Sequence, residues 1–169
     1  MLTLYVLCGP PGSGKSFYTR CHSNNAVVVS RDEIRFSLLK EWEPYFKAEK
    51  KVYKEFINKI QKNLNNGFDV YADATHLTQR SRAKLVMNLK LDGVKVCAIN
   101  FLVPFDVCVE RNNSRIGRAQ VPYSTLVDMY DCFIPACKEN SSEIVQFDEV
   151  ICIDKDGKVI ENGAYDLVY

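Results

Sequence analysis

The chain predicts a three-layer α/β/α domain built on a mostly parallel sheet of about five strands. Three observations carry this prediction. Short apolar runs recur along the 169 residues. Amphipathic stretches of helical period lie between them. A glycine-rich turn follows the first apolar run directly. Strand–helix alternation of this kind implies right-handed crossovers and a sheet covered on both faces.

The first strand is "LTLYVLC" (2–8), apolar enough to be buried on both sides. "AVVVS" (26–30), "FDVYAD" (68–73), "VKVCAINFLV" (94–103) and "DEVICID" (148–154) read the same way. The clearest helix is expected from Pro44 to Asn66, with Val52, Phe56, Ile60 and Leu64 on one stripe. A proline in its first turn and Gly67 after its end are suitable punctuation. Further helices are expected from near Gln79, capped by Thr78, from near Pro104 and from near Tyr123. With no repeat or linker, residues 1–169 read as a single domain.

Composition narrows the class. Hydrophobic residues make up 47% and charged ones 25%, as in globular domains. No stretch is apolar and long enough to cross a bilayer, and the N-terminus lacks a secretory signal, so the cytoplasm is the expected compartment and no membrane partner is expected. The net charge of +1 makes attraction to phosphate a matter of local clusters. The seven cysteines lack metal-knuckle spacing and read as small, reduced core or boundary residues.

In sheets of this kind ligands gather at the carboxyl ends of the strands. After the first strand stands Gly9-Pro10-Pro11-Gly12-Ser13-Gly14-Lys15-Ser16, a full G-x-x-x-x-G-K-[ST] phosphate loop. Its backbone N–H groups and the following helix dipole suit phosphate oxygens. Lys15 reaches the β- and γ-phosphates, and the Ser16 hydroxyl is a Mg²⁺ ligand. The bland alternative, a glycine-rich turn without a ligand, sits badly between a buried strand and a helix.

After the second strand comes "SRDEIR" (30–35). Ser30 or Asp32 can cap the next helix. Alternatively, Asp32 faces the γ-phosphate and takes a proton from an attacking hydroxyl, with Arg35 one turn later on the same face. After the third strand, "DATHL" (73–77) offers Asp73 as a metal-side carboxylate. His76 has no partner histidine and carries no catalytic expectation. After the fourth strand, "ERNNSRIGRAQVP" (110–122) holds Arg111, Arg115 and Arg118 among small polar residues. It reads as a mobile lid over about 111–122 that neutralises charge during transfer; the alternative is a solvated charged loop.

Together these stretches resemble the kinase domain of polynucleotide 5'-hydroxyl kinases, as in bacteriophage end-repair enzymes and their animal counterparts. The resemblance runs from Leu2 to about Asp154 and rests on "GPPGSGKS", "SRDEIR", "DATHLTQRSR", "FLVPFDVCVERNNSR" and "VPYSTLVDMY". It implies a P-loop kinase with ATP as donor, Mg²⁺ as cofactor and 5'-hydroxyl ends of DNA or RNA as acceptors. Asp32 would be the general base, with Lys15 and Arg115 catalytic at the phosphates. Gly9, Gly12, Ser13, Gly14, Lys15, Ser16, Arg111 and Arg115 would hold the nucleotide. Arg35, Asp73 and Thr75 would serve the acceptor, and Ser16 and Asp73 the metal. The lid is one residue longer than the phage pattern, which leaves Arg115 and Arg118 as alternatives for the phosphate contact. A phage-encoded chain would act in the host cytoplasm.

Bifunctional members of that family add a phosphatase opened by D-x-D-G-T. Here "IDKDGKV" (153–159) lacks the threonine and reads as a turn between two short strands. The chain therefore reads as the kinase alone, with a phosphatase or ligase, where one acts, being separate. Two rivals stay open: a P-loop kinase of a nucleoside, nucleotide or sugar derivative, and a regulatory nucleotide-binding ATPase.

Overall fold

The computed structural model describes residues 1–138 and 143–160. Residues 161–169, included in the expected single domain, lie outside that range. Five strands form one sheet: β1 (Leu2–Cys8), β2 (Val27–Ser30), β3 (Val70–Asp73), β4 (Val94–Phe101) and β5 (Glu149–Ile153). Their order is β2-β3-β1-β4-β5, and every pairing is parallel. Six α-helices connect them: α1 (Lys15–His22), α2 (Arg31–Leu38), α3 (Glu49–Asn65), α4 (Gln79–Met87), α5 (Phe105–Asn113) and α6 (Tyr123–Asp131). The expected α/β P-loop fold is present, with a sheet that is wholly parallel rather than mostly so.

Alternation along β1 explains the three layers. Leu4, Val6 and Cys8 enter one core with Val52, Phe56, Ile60 and Leu64 of α3 and Leu85 of α4. Leu7 enters the other with Ile99, Phe101 and Cys108, against which Tyr5 and Tyr18 pack. Successive side chains of a strand point to opposite faces, so both cores draw on one strand. The stripe read on α3 is fully buried, and its end is punctuated as expected by Gly67, at φ 83°. Thr78 caps α4 in a capping box with Ser81.

The start of the long helix needs correction. α3 begins at Glu49, and Pro44 instead opens a turn in which Lys47 N donates to Pro44 O at 3.0 Å. Tertiary bonding overrides the helical pattern here, because the Tyr45 hydroxyl reaches back to Asp32 and Arg35 on α2. The stretch read as a lid begins inside a helix, since α5 carries Arg111, Asn112 and Asn113. Asn112 is buried and ties down the far end of that stretch, donating to Val121 O at 2.7 Å and accepting from Val121 N at 2.9 Å. Four of the cysteines are buried, while Cys21, Cys132 and Cys137 are exposed.

The "IDKDGKV" segment is a turn, as read from the sequence. Asp154 Oδ1 accepts from the backbone of both Asp156 and Lys158, at 2.9 Å each. Its second arm is an isolated bridge between Ile153 and Val159 rather than a strand. Among the described residues no helix is long and apolar enough to cross a membrane.

Candidate active site

The site begins where the carboxyl ends of β1, β2 and β3 meet. Ser30 and Asp73 are register partners at the ends of β2 and β3. Gly9 N donates to Thr75 O at 2.9 Å, tying the phosphate loop to the turn after β3. Thr75 therefore contributes its backbone carbonyl to the frame of the site.

The phosphate loop needs its glycines for stated reasons. A Cβ on Gly12, whose φ is 80°, would lie 2.4 Å from the carbonyl oxygen of Cys108 in α5. Gly14 (φ 95°) is the N-cap of α1 and offers no side chain to the helix's first N–H groups, which are free for an anion. Ser13 is buried within the loop. Lys15 curls over it, donating to Gly9 O and Pro10 O at 2.8 Å each. Enclosure of that ammonium by the loop lowers the Lys15 pKa to about 8, a shift that Asp73 opposes and Arg115 reinforces.

Ser16 Oγ donates to Asp73 Oδ2 at 3.5 Å. Burial pushes the Asp73 carboxyl above its ordinary range, and the charges of Asp32 and Glu33 add to the shift, while Lys15 opposes it. A divalent cation would relieve that crowding of negative charge. Among the described residues no cluster of three His, Cys, Asp or Glu could hold a metal. A hydroxyl plus one carboxylate fits Mg²⁺, which keeps waters and takes phosphate oxygens.

Ser30 is the N-cap of α2 and accepts from Glu33 N at 3.3 Å. Asp32 is thus released from capping. Its side chain is exposed on the first turn of α2, and its charge is felt by both Lys15 and Asp73. Oδ1 of Asp32 accepts from the Arg35 guanidinium and from the Tyr45 hydroxyl. Arg35 is buried, and its other nitrogen donates to Glu49 Oε2 at 3.0 Å. From that buried position Arg35 links Asp32, Tyr45 and Glu49. Burial, and then the hydrogen bond to Asp32, raise the Tyr45 pKa, keeping its phenol a donor.

Sequence reasoning missed Tyr45 and Glu49 because both lay inside the expected helix. The "PYF" triplet at 44–46, aromatic just after a proline, was the available signal.

The lid arginines divide. Arg111 bonds to Gly12 O at 3.3 Å and to Lys155 O at 2.6 Å, so it braces the phosphate loop. Arg115 is exposed and bonds weakly to Ala119 O at 3.4 Å, and its charge acts on Lys15. Arg118 points elsewhere, donating to Lys40 O at 3.2 Å and lying 4.7 Å over the Phe36 ring. His76 is buried, with Nδ1 2.8 Å from Leu7 O, and burial lowers its pKa to about 4. It is a core residue.

The family model called AAA domain (AAA_33) matches residues 4–135, from the first strand through α6. The chain belongs to that family. Its fold is that of P-loop kinases, and nucleotide binding follows from it. No curated protein matches the chain. Among solved structures it is similar to a chain of the Pnkp1/Rnl/Hen1 RNA repair complex, with 25% identity and a TM-score of 0.66. The match covers 78% of this chain and 43% of that one, so this chain spans under half of that relative's length. A fungal RNA kinase matches over 95% of this chain and 76% of its own, at 17% identity and TM-score 0.63. A sugar kinase from Janibacter sp. matches over 94% and 88%, at 15% identity and TM-score 0.63. The last two likenesses concern the fold alone.

Proposed function

We propose that this chain transfers the γ-phosphate of ATP to the 5'-hydroxyl end of DNA or RNA. The observation that carries the reading is Asp32: exposed, freed from capping by Ser30, held by Arg35 and Tyr45, and electrostatically coupled to Lys15 and Asp73. A nucleotide-binding switch needs no oriented carboxylate on the acceptor side of its phosphate loop. Asp32 takes the proton of the attacking hydroxyl. Lys15 and Arg115 stabilise charge on the transferring group, with Gly9, Gly12, Ser13, Gly14 and Arg111 shaping the cradle. Ser16 and Asp73 would hold Mg²⁺, which would supply charge neutralisation at the phosphates. Arg35 positions Asp32 and lies beside it on the side where the acceptor's phosphate would sit. Asp73 and Thr75 border the acceptor, and the lid, with Arg115, closes over the donor.

The likeness to a chain of the RNA repair complex supports a polynucleotide acceptor. The test offers γ-labelled ATP with a 5'-hydroxyl oligonucleotide, with free nucleosides and sugars, and with no acceptor. Label in the oligonucleotide is the expected result. Label confined to a small molecule, or only free phosphate, overturns it.

A further inference from the structure

Outside the phosphate site, the segment between α2 and α3 carries an unusual surface. Trp42 is 78% exposed and Phe46 is 61% exposed. Exposed rings this large on a short loop are poor candidates for core packing. Phe46 adjoins the acceptor side of the site. The Phe46 and Tyr45 rings meet edge-to-face at 4.8 Å, and Phe46 lies 6.0 Å from the Arg35 guanidinium that holds Asp32. Tyr45 in turn meets Phe36 at 6.2 Å.

Cations interleave with these rings. Arg118 covers Phe36, and the Lys40 ammonium lies 5.2 Å over Trp42. Arg118 also bonds to Lys40 O, joining the lid to this loop. Of the loop's acids, Glu43 is consumed by Lys47 and by Lys40 N, which leaves Glu41 against Lys40 and Arg118. The strip thus presents stacking faces with a positive edge, beginning beside Asp32 and running outward.

We propose that this strip, with Phe46 and Trp42 as its faces, is the platform on which the unpaired bases of a single-stranded nucleic-acid acceptor stack. Every base offers a π-face, so aromatic stacking is tolerant of sequence. Arg118 and Lys40 meet the backbone phosphates that follow the end. A sugar acceptor lacks the π-face that a base offers to these rings. The inference rests on the polynucleotide reading above and names the feature of that acceptor which the site recognises.

Trp42 is the chain's one tryptophan, so its fluorescence reports on the strip directly. The test titrates the protein with a 5'-hydroxyl oligonucleotide, and with the same oligonucleotide lacking its terminal bases, while transfer of labelled phosphate is followed in parallel. The wild type should show saturable quenching. Phe46→Ala should weaken both apparent affinity and acceptor KM by about 5- to 150-fold, the equivalent of 1–3 kcal/mol of stacking. Phe46→Tyr should restore them, and the base-free acceptor should be indifferent to the change at 46. Because Phe46 is exposed, Phe46→Ala should melt like the wild type. Label transfer with quenching and KM unchanged in Phe46→Ala overturns the platform and leaves the kinase reading standing. Quenching without any transfer to the oligonucleotide upholds the platform and overturns the kinase reading. No quenching and no transfer overturn both.

Discussion

The Ser16 hydroxyl and the Asp73 carboxylate converge to 3.5 Å, joining the first turn of α1 to the end of β3. The two residues are 57 positions apart in sequence, and only the β1–β3 pairing brings them together. If they share Mg²⁺, Asp73→Asn should fold and bind nucleotide yet demand more metal. The Mg²⁺ concentration for half-maximal rate should rise about tenfold for each 1.4 kcal/mol of lost metal binding. An unchanged metal titration would remove Asp73 from the metal side.

Lys15 predicts a pH dependence. Its pKa is depressed to about 8, so the free enzyme carries the ammonium below that pH and loses it above. Bound phosphates favour the charged form and raise the value in the complex. Because kcat/KM reports the free enzyme and kcat the complex, kcat/KM for ATP should fall as pH rises through about 8. The kcat profile should hold to higher pH. A kcat/KM flat from pH 7 to 10 would contradict the assignment.

Gly12→Ala tests the loop geometry. A methyl group there meets Cys108 O at 2.4 Å on a backbone of positive φ. Strain of this kind costs about 1–3 kcal/mol. A lower melting temperature and loss of nucleotide binding are expected together. Wild-type behaviour in both would mean that the loop tolerates a side chain it has no room for.

Arg35 has three partners in Asp32, Tyr45 and Glu49, and truncation disturbs all of them. Hydrogen bonds to charged groups contribute about 1.5–3 kcal/mol. Arg35→Ala should therefore lose stability of that order and lower kcat as well as raise acceptor KM, because Asp32 loses its orienting partner. A change in KM alone would mean that Arg35 serves the acceptor and leaves Asp32 undisturbed.

Much of this was legible in the sequence, because strands buried on both faces and a stripe such as Val52–Phe56–Ile60–Leu64 depend on local pattern alone. The phosphate loop was legible for the same reason: its spacing is its chemistry. What could not be read depends on tertiary contact. Pro44 looked like a helix start until Tyr45 was drawn to Asp32 and Arg35. The bonds between Asn112 and Val121, which tie the two ends of the 111–122 stretch together, leave no local signature. Arg115 and Arg118 are alike in sequence, and only their neighbours, Lys15 for one and Phe36 with Lys40 for the other, tell them apart. Arg82, on α4, carried no reading of its own in the sequence. It is fully buried, holding His76 O, Ile134 O and Glu143 beneath the turn that follows β3.

Single-turnover transfer by Asp32→Asn tests the central claim most directly. The amide keeps the shape of the carboxylate and loses its capacity to take a proton. Since Ser30 supplies the cap, the substitution should keep the helix start, and any stability loss should come from the weakened bonds to Arg35 and Tyr45. General-base assistance contributes about 10²–10⁴-fold. The transfer rate to a 5'-hydroxyl oligonucleotide should fall by that order, with ATP and oligonucleotide binding retained. A folded Asp32→Asn protein that transfers phosphate at the wild-type rate would contradict the account.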